Sequence, residues 1–135
     1  MRDDLLGSKV PGFEVRIDPT QTRYFLEATG EELPEYAEEG WAPPTSLFGP
    51  AREGYPEPLT FMGTSFEKAV MASAEYDIAR PPRVGEVLTC TGQVTDVTRK
   101  ETAKGPMTFA TLEATFTDID GALVAIERLT FLERG

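Results

Sequence analysis

The chain has 135 residues, 40% of them hydrophobic and 27% charged, which suits one globular domain over 1–135, large enough to bury roughly two-thirds of its unfolded surface without disulfide or metal staples. A formal charge of -10 with no basic stripe argues against nucleic-acid binding through phosphate attraction, and no apolar run approaches the roughly 20 residues a membrane span needs. The absence of histidine discriminates most: it removes the commonest general base near neutral pH and the commonest nitrogen ligand, so Ser-His-Asp and Cys-His mechanisms are impossible within this chain.

A zinc site would have to be built from carboxylates and the one thiol, Cys90, and neither a metal nor a cofactor is expected. Cys90 lies in a strand-like run, where a free thiol behaves as a small hydrophobe. The N-terminal Met-Arg-Asp-Asp-Leu-Leu has neither a basic region nor an apolar h-region, so a cytoplasmic location is the default expectation.

Residues 1–12 carry Gly7, Pro11 and Gly12 and read as a lead-in with little regular structure. Phe13, Val15 and Ile17 then alternate with Glu14, Arg16 and Asp18, the period of a half-buried strand. Asp18-Pro19-Thr20-Gln21 starts a helix: Asp18 can cap free backbone N–H groups, Pro19 suits the first helical position, and Gln21 sits where a capping box returns its hydrogen bond. The helix should run to about Thr29, bury Tyr24, Phe25 and Ala28 against a sheet, and end at Gly30 in a left-handed C-cap.

From Glu31 to Pro58 prolines and glycines recur, and so long a connection in a compact domain is usually functional. A short helix is expected near Thr45–Phe48, after Pro43 and Pro44. Beyond Leu59-Thr60-Phe61-Met62 the rest reads as a meander. Alternation is visible in Val70, Ala72, Ala74 and Tyr76, then Leu88, Cys90, Gly92 and Val94, then Ala110, Leu112, Ala114 and Phe116. Pro81 and Pro82 should mark a strand end, a longer loop should span Arg99 to Pro106, and Asp120-Gly121 signals a hairpin into a last strand from Ala122 to Glu133. The sum is an α+β domain, a sheet curled around a helix, with open edges of the kind commonly managed by pairing with a second subunit.

The order of motifs resembles the MaoC-like branch of the hot-dog fold, the (R)-specific enoyl-CoA hydratases and 3-hydroxyacyl-thioester dehydratases. Phe25, Ala28 and Gly30 match that family's helix F-x-x-A-x-G; Glu31, Leu33, Pro34 and Tyr36 fall on its loop G-D-x-N-P-x-H; Ala42-Pro43-Pro44-Thr45 resembles its downstream motif; and Arg80-Pro81-Pro82-Arg83-Val84-Gly85-Glu86 is similar to its R-P-x-x-x-G-D. The resemblance implies a single hot-dog domain pairing into a double hot dog. In catalytic members of the family an Asp and a His activate water for addition to, or elimination across, the bond beside a thioester, and an Asn supports them. Here Glu31, Leu33 and Tyr36 stand at those places. Tyrosine, with an ordinary pKa near ~10, is a poor base at neutral pH, and leucine cannot hydrogen-bond.

No catalytic residue is therefore assigned. The pattern resembles the family's N-terminal-type, non-catalytic half, which implies an accessory subunit of a heteromeric dehydratase or hydratase acting on acyl-CoA or acyl-carrier-protein thioesters. Its partner would be a MaoC-like catalytic subunit, in a heterodimer or heterotetramer. Trp41, Pro43, Pro44, Phe48 and Phe61 are expected either to line the acyl pocket or to pack in the core. Two alternatives stay open: a self-sufficient thioesterase using Glu31 with a helix N-terminus polarising the carbonyl, and a non-enzymatic acyl or small-molecule binder. Arg52, Arg80, Arg83, Arg99 and Lys100 form either an anion patch or ordinary surface charge.

Overall fold

The computed structural model describes residues 1–33, 36, 39–47 and 58–135, with the side chains of 45, 46 and 58 left out. One five-stranded antiparallel sheet takes up about half of these residues: β1 (Lys9–Arg16), β2 (Ala69–Ile78), β3 (Val87–Thr102), β4 (Gly105–Thr117) and β5 (Leu123–Arg134), in the spatial order β1-β3-β4-β5-β2. β3, β4 and β5 are the long inner strands, and β1 and β2 are the edges.

Their inner face is the one the alternation announced. Leu88, Cys90 and Val94 on β3 and Ala110, Leu112, Ala114 and Phe116 on β4 are all buried, joined by Ala125, Leu129 and Phe131 of β5. The outer face is polar. There Thr111 and Thr130 pair through their hydroxyls at 3.0 Å, and Arg128 reaches Glu113 at 3.0 Å and Asp77 at 2.7 Å, cross-strand contacts on the solvent side of the sheet.

The helix α1 (Pro19–Thr29) forms where Asp18 and Gly30 bracket it. Asp18 Oδ1 accepts from the N–H groups of Thr20 at 2.7 Å and Gln21 at 3.1 Å, and Gly30 closes the other end with φ 69°. Replacing the cap should cost about 1 kcal/mol. Asp18→Ala is thus expected to lower the unfolding free energy by that amount, read as a lower urea midpoint at unchanged m-value; no shift at all would remove the cap from the account.

The buried face of α1 differs from the expected one. Tyr24 is 59% exposed and Phe25 40%, and Ala28 is exposed too, whereas Thr22 is buried and Leu26 half-buried. The helix therefore docks on its Thr22–Leu26 stripe, four residues apart on one face. The space inside the sheet is filled by other pieces: Leu47 from a 3-10 turn (Pro44–Leu47), Leu59 from the short helix α2 (Pro58–Phe61), and Met62 and Leu5, all in the core cluster. An apolar triplet at helical spacing states that a face exists; which neighbour covers it is a tertiary matter.

Three further expectations shift. The lead-in is partly strand, since β1 begins at Lys9 and accommodates Pro11 and Gly12 by a bulge between Val10 and Phe13. The stretch Arg99–Pro106 is not a loop: β3 and β4 stay paired to Thr102 and Gly105, and the Thr102 hydroxyl donates to the Gly105 carbonyl at 2.7 Å. The alternation in β2 is broken by a bulge between Met71 and Ser73, so that Val70 faces outward while Ala74 and Tyr76 face inward. The Asp120-Gly121 hairpin is present, with Asp118 Oδ1 accepting from Asp120 and Ala122 at 2.9 Å each and Gly121 at φ 80°. Phe48, the last residue of the expected short helix, lies outside the described residues, which place that turn at Pro44–Leu47.

Candidate functional site

α1 ends so as to fold the chain back on itself. The Gly30 N–H donates to Glu27 O at 3.3 Å and the Glu31 N–H to Leu26 O at 3.0 Å, a Schellman arrangement that turns residues 31–33 back beside the helix. A second strap brings the segment before β3 under it: Ala42 N donates to Pro82 O at 2.7 Å, Val84 N to Gly40 O at 2.8 Å, and Gly85 N to Ile17 O at 2.7 Å. Between these pieces lies a cavity of about 450 Å³. Leu26, Leu33, Val84 and the Tyr36 ring give it apolar walls, and Arg23, Glu31 and Glu32 line it as charged residues.

The three positions singled out in the sequence, Glu31, Leu33 and Tyr36, thus meet in one cavity. What they can do there is limited. Glu31 is exposed, and its Oε1 already accepts from the N–H groups of Glu32 at 3.2 Å and Leu33 at 3.3 Å. Leu33, 51% exposed, offers no polar atom on its side chain, and Tyr36 is half-buried. Among the described residues no group of three His, Cys, Asp or Glu could hold a metal ion.

The expected pocket-lining residues lie elsewhere. Trp41 is half-buried beneath the Arg83 guanidinium, 4.5 Å from its ring, and its Nε1 donates to Glu39 at 2.9 Å. Pro43 is buried, Pro44 opens the 3-10 turn, and the half-buried Phe61 packs against the core with Arg2 5.1 Å above its ring. Phe48 and Arg52 lie outside the described residues. The remaining cations have separate partners: Arg99 meets Asp3 at 3.2 Å, and Lys100 sits 5.6 Å over Phe109.

Arg80 instead anchors a local network. Its guanidinium donates to both Glu86 oxygens, at 3.0 and 2.5 Å, to the Pro81 carbonyl at 3.1 Å, and approaches Asp118 at 3.4 Å. The hydrogen bonds from Arg80 hold the Glu86 carboxyl below its usual range, and those same bonds raise the Arg80 pKa. Asp118 is lowered first by the Ala122 N–H and then by its other donors. The R-P-P-R-V-G-E motif is therefore a clamp from the end of β2 to the β4–β5 turn.

Two residues escaped the sequence reading. Arg23 lines the cavity because the docked stripe is Thr22–Leu26 and not the expected face. Glu127 stands at an inner position of β5, 1% exposed between Ala125 and Leu129, and accepts a 2.5 Å hydrogen bond from the Tyr76 hydroxyl. Its signal was a carboxylate interrupting an otherwise apolar alternation.

Comparison with known proteins places this geometry. A family model described as "FAS1-like, dehydratase domain region" matches residues 4–127. No curated protein sequence matches the chain. Among solved structures, the HadBC (3R-hydroxyacyl-ACP dehydratase) complex from Mycobacterium tuberculosis superposes with TM-score 0.73 at 20% identity, covering 98% of this chain and 99% of that one. The ChsH1-ChsH2 complex from the same organism gives 0.74 at 17%, over 93% and 84%. The (R)-hydratase from A. caviae involved in PHA biosynthesis gives 0.65 at 16%, over 99% and 100%. At these identities the likeness shows the fold, and the fold is the hot dog. With 4–127 matched by the family and the hot-dog sheet in place, the chain belongs to the FAS1-like dehydratase domain family, a hot-dog dehydratase assignment in line with the MaoC-like resemblance.

Proposed function

We propose that this chain is the non-catalytic subunit of a heteromeric dehydratase or hydratase acting on 3-hydroxyacyl and enoyl thioesters of CoA or acyl carrier protein. The observation that carries this reading is the cavity beside α1. It holds the loop on which the resemblance places the catalytic dyad, yet Glu31, Leu33 and Tyr36 line it, and Glu31 spends an oxygen on its own backbone. Proton transfer would come from the Asp/His pair of a second hot-dog subunit. Trp41, Pro43, Pro44, Phe48 and Phe61 are assigned to the acyl-side wall of the assembled pocket.

Two further facts support the assembly. The structural neighbours HadBC and ChsH1-ChsH2 are themselves complexes. The β2 edge is ten residues long, contains no proline and carries the exposed Val70 and Met71, while the opposite edge, β1, is blunted by Pro11 and its bulge. β2 is therefore the edge that a partner strand would extend. The self-sufficient thioesterase finds less support, because Glu31 follows the C-terminal end of α1, where the dipole is negative, and the N-terminal N–H groups are taken by Asp18.

The test is enoyl-thioester hydration measured with the purified chain, with a histidine-bearing hot-dog partner, and with both. The chain alone is expected to be inactive and the pair to exceed the partner alone. Equal turnover by the partner with and without this chain would overturn the proposal.

A further inference from the structure

The outer face of the sheet holds a hollow of about 420 Å³ that shares no residue with the cavity beside α1. One wall is a cross-strand row of long side chains: Lys9 on β1, Gln93 on β3 and Glu113 on β4. The next row along, Thr91 and Thr115, is short, so the surface steps down between the two rows. On the β1 side the bulge raises the rim, where Pro11 stands opposite no residue of β3. With strands about 5 Å and rows about 7 Å apart, the floor has the size of a small ring. The volume falls in the range of roughly 300–1,000 Å³ that small-molecule sites occupy.

The chemistry of the hollow is polar and balanced. The Lys9 ammonium only donates, the Glu113 carboxylate only accepts, and Gln93 and the two threonines do both. Glu113 Oε2 takes the Arg128 Nε–H at 3.0 Å, which fixes the carboxylate and offsets its charge. Among the described residues, the side chains of Lys9, Thr91, Gln93 and Thr115 make no hydrogen bond or ion pair within the protein. A simple anion drawn to Lys9 would meet Glu113, and a simple cation drawn to Glu113 would meet Lys9 and Arg128. A small zwitterion carries its two charges too close together for Lys9 and Glu113, whose strands lie about 10 Å apart with β3 between them. The set matches a neutral ligand with several groups that each donate and accept.

We propose that this hollow is a carbohydrate-binding site. A sugar ring rests on the Thr91–Thr115 floor, its hydroxyls bonded to Gln93, to Glu113 and to the Lys9 ammonium. The Pro11 ring supplies the apolar edge for the C–H groups of the sugar. The site does not depend on the dehydratase reading, since none of its residues belongs to the loop after α1.

Amide-resolved NMR titrations of the whole chain with glucose and with maltose test this, with inorganic phosphate and glycine as the ionic comparisons. Saturable shifts are expected with a sugar at the amides of Lys9, Thr91, Gly92, Gln93, Glu113 and Thr115, and with neither ion. Thr115→Val and Gln93→Ala should each weaken sugar binding about fivefold, the worth of one hydrogen bond. Thr111→Val, on the same outer face but outside the hollow, should leave the affinity unchanged. The assignment is overturned if neither sugar gives saturable shifts, if the shifts spread beyond the hollow, or if phosphate or glycine saturates the same amides at the same concentrations. Wild-type affinity in both Thr115→Val and Gln93→Ala would overturn it as well.

Discussion

Phe116→Ala is expected to destabilise the fold by about 3–5 kcal/mol, the cost of a large ring removed from a site that cannot collapse. Phe116 heads the fully buried side chains by volume at 0% exposure. Its cross-strand neighbours are Cys90 on β3 and Ala125 on β5, both also at 0%. Backbone ladders on both sides of β4 fix the spacing, so the strands cannot close over the gap. A chain of this length has on the order of 10 kcal/mol to lose, and the substitution should consume a large part of it. Urea unfolding checks the value: the midpoint should fall with the m-value unchanged. A loss below about 1 kcal/mol would mean that the inner face repacks freely and that the sheet is not the rigid scaffold described above.

Arg80→Ala should cost about 2 kcal/mol at neutral pH, and the cost should fade in acid. The side chains of Arg80, Glu86 and Asp118 are 29%, 17% and 16% exposed, which places the network between a screened surface pair and a fully buried one. Glu86 has its carboxyl lowered in the folded protein, chiefly by Arg80. A carboxyl of that kind stabilises the fold above its unfolded value, near the ordinary 4.5, and loses that contribution as the pH falls through its lower folded value. The gap between wild type and Arg80→Ala should accordingly be full above the unfolded Glu86 value near 4.5 and narrow as the pH falls below it. A gap that is constant over this range would show that Arg80 acts through its packing alone.

Because the clamp joins the end of β2 to the β4–β5 turn, its loss should also loosen the β2 edge. Weakened partner association in Arg80→Ala, measured by analytical ultracentrifugation, is the corresponding expectation for the assembled complex. Unchanged association would confine the clamp to the stability of the single subunit.

Much of the fold is written in local pattern. The helix from Pro19 to Thr29 could be bounded in advance because Asp18, Pro19 and Gly30 act within one turn of where they stand. The inner faces of β3 and β4 could be read because a two-residue period has only one solution once a strand is granted. The loop after the helix was equally legible, since the identity of Glu31, Leu33 and Tyr36 is a fact of sequence, and the C-cap turns that loop toward the cavity they line.

What the sequence could not decide are matters of which surface meets which. The triplet Tyr24, Phe25 and Ala28 has the spacing of a buried face, but burial depends on the neighbour, and the sheet interior is taken by Leu47, Leu59 and Met62. The bulge in β2 sends Val70 to one face and Ala74 to the other, and no local signal separates a bulged strand from a regular one. Arg80 and Asp118 are 38 positions apart, and Tyr76 and Glu127 are 51 apart. By itself the sequence determined the helix, the inner faces of β3 and β4, the lack of histidine and the family, because these rest on residue type and short-range spacing. The clamp and the Tyr76–Glu127 contact were decided by the tertiary structure, because each joins segments that are adjacent only in the folded sheet.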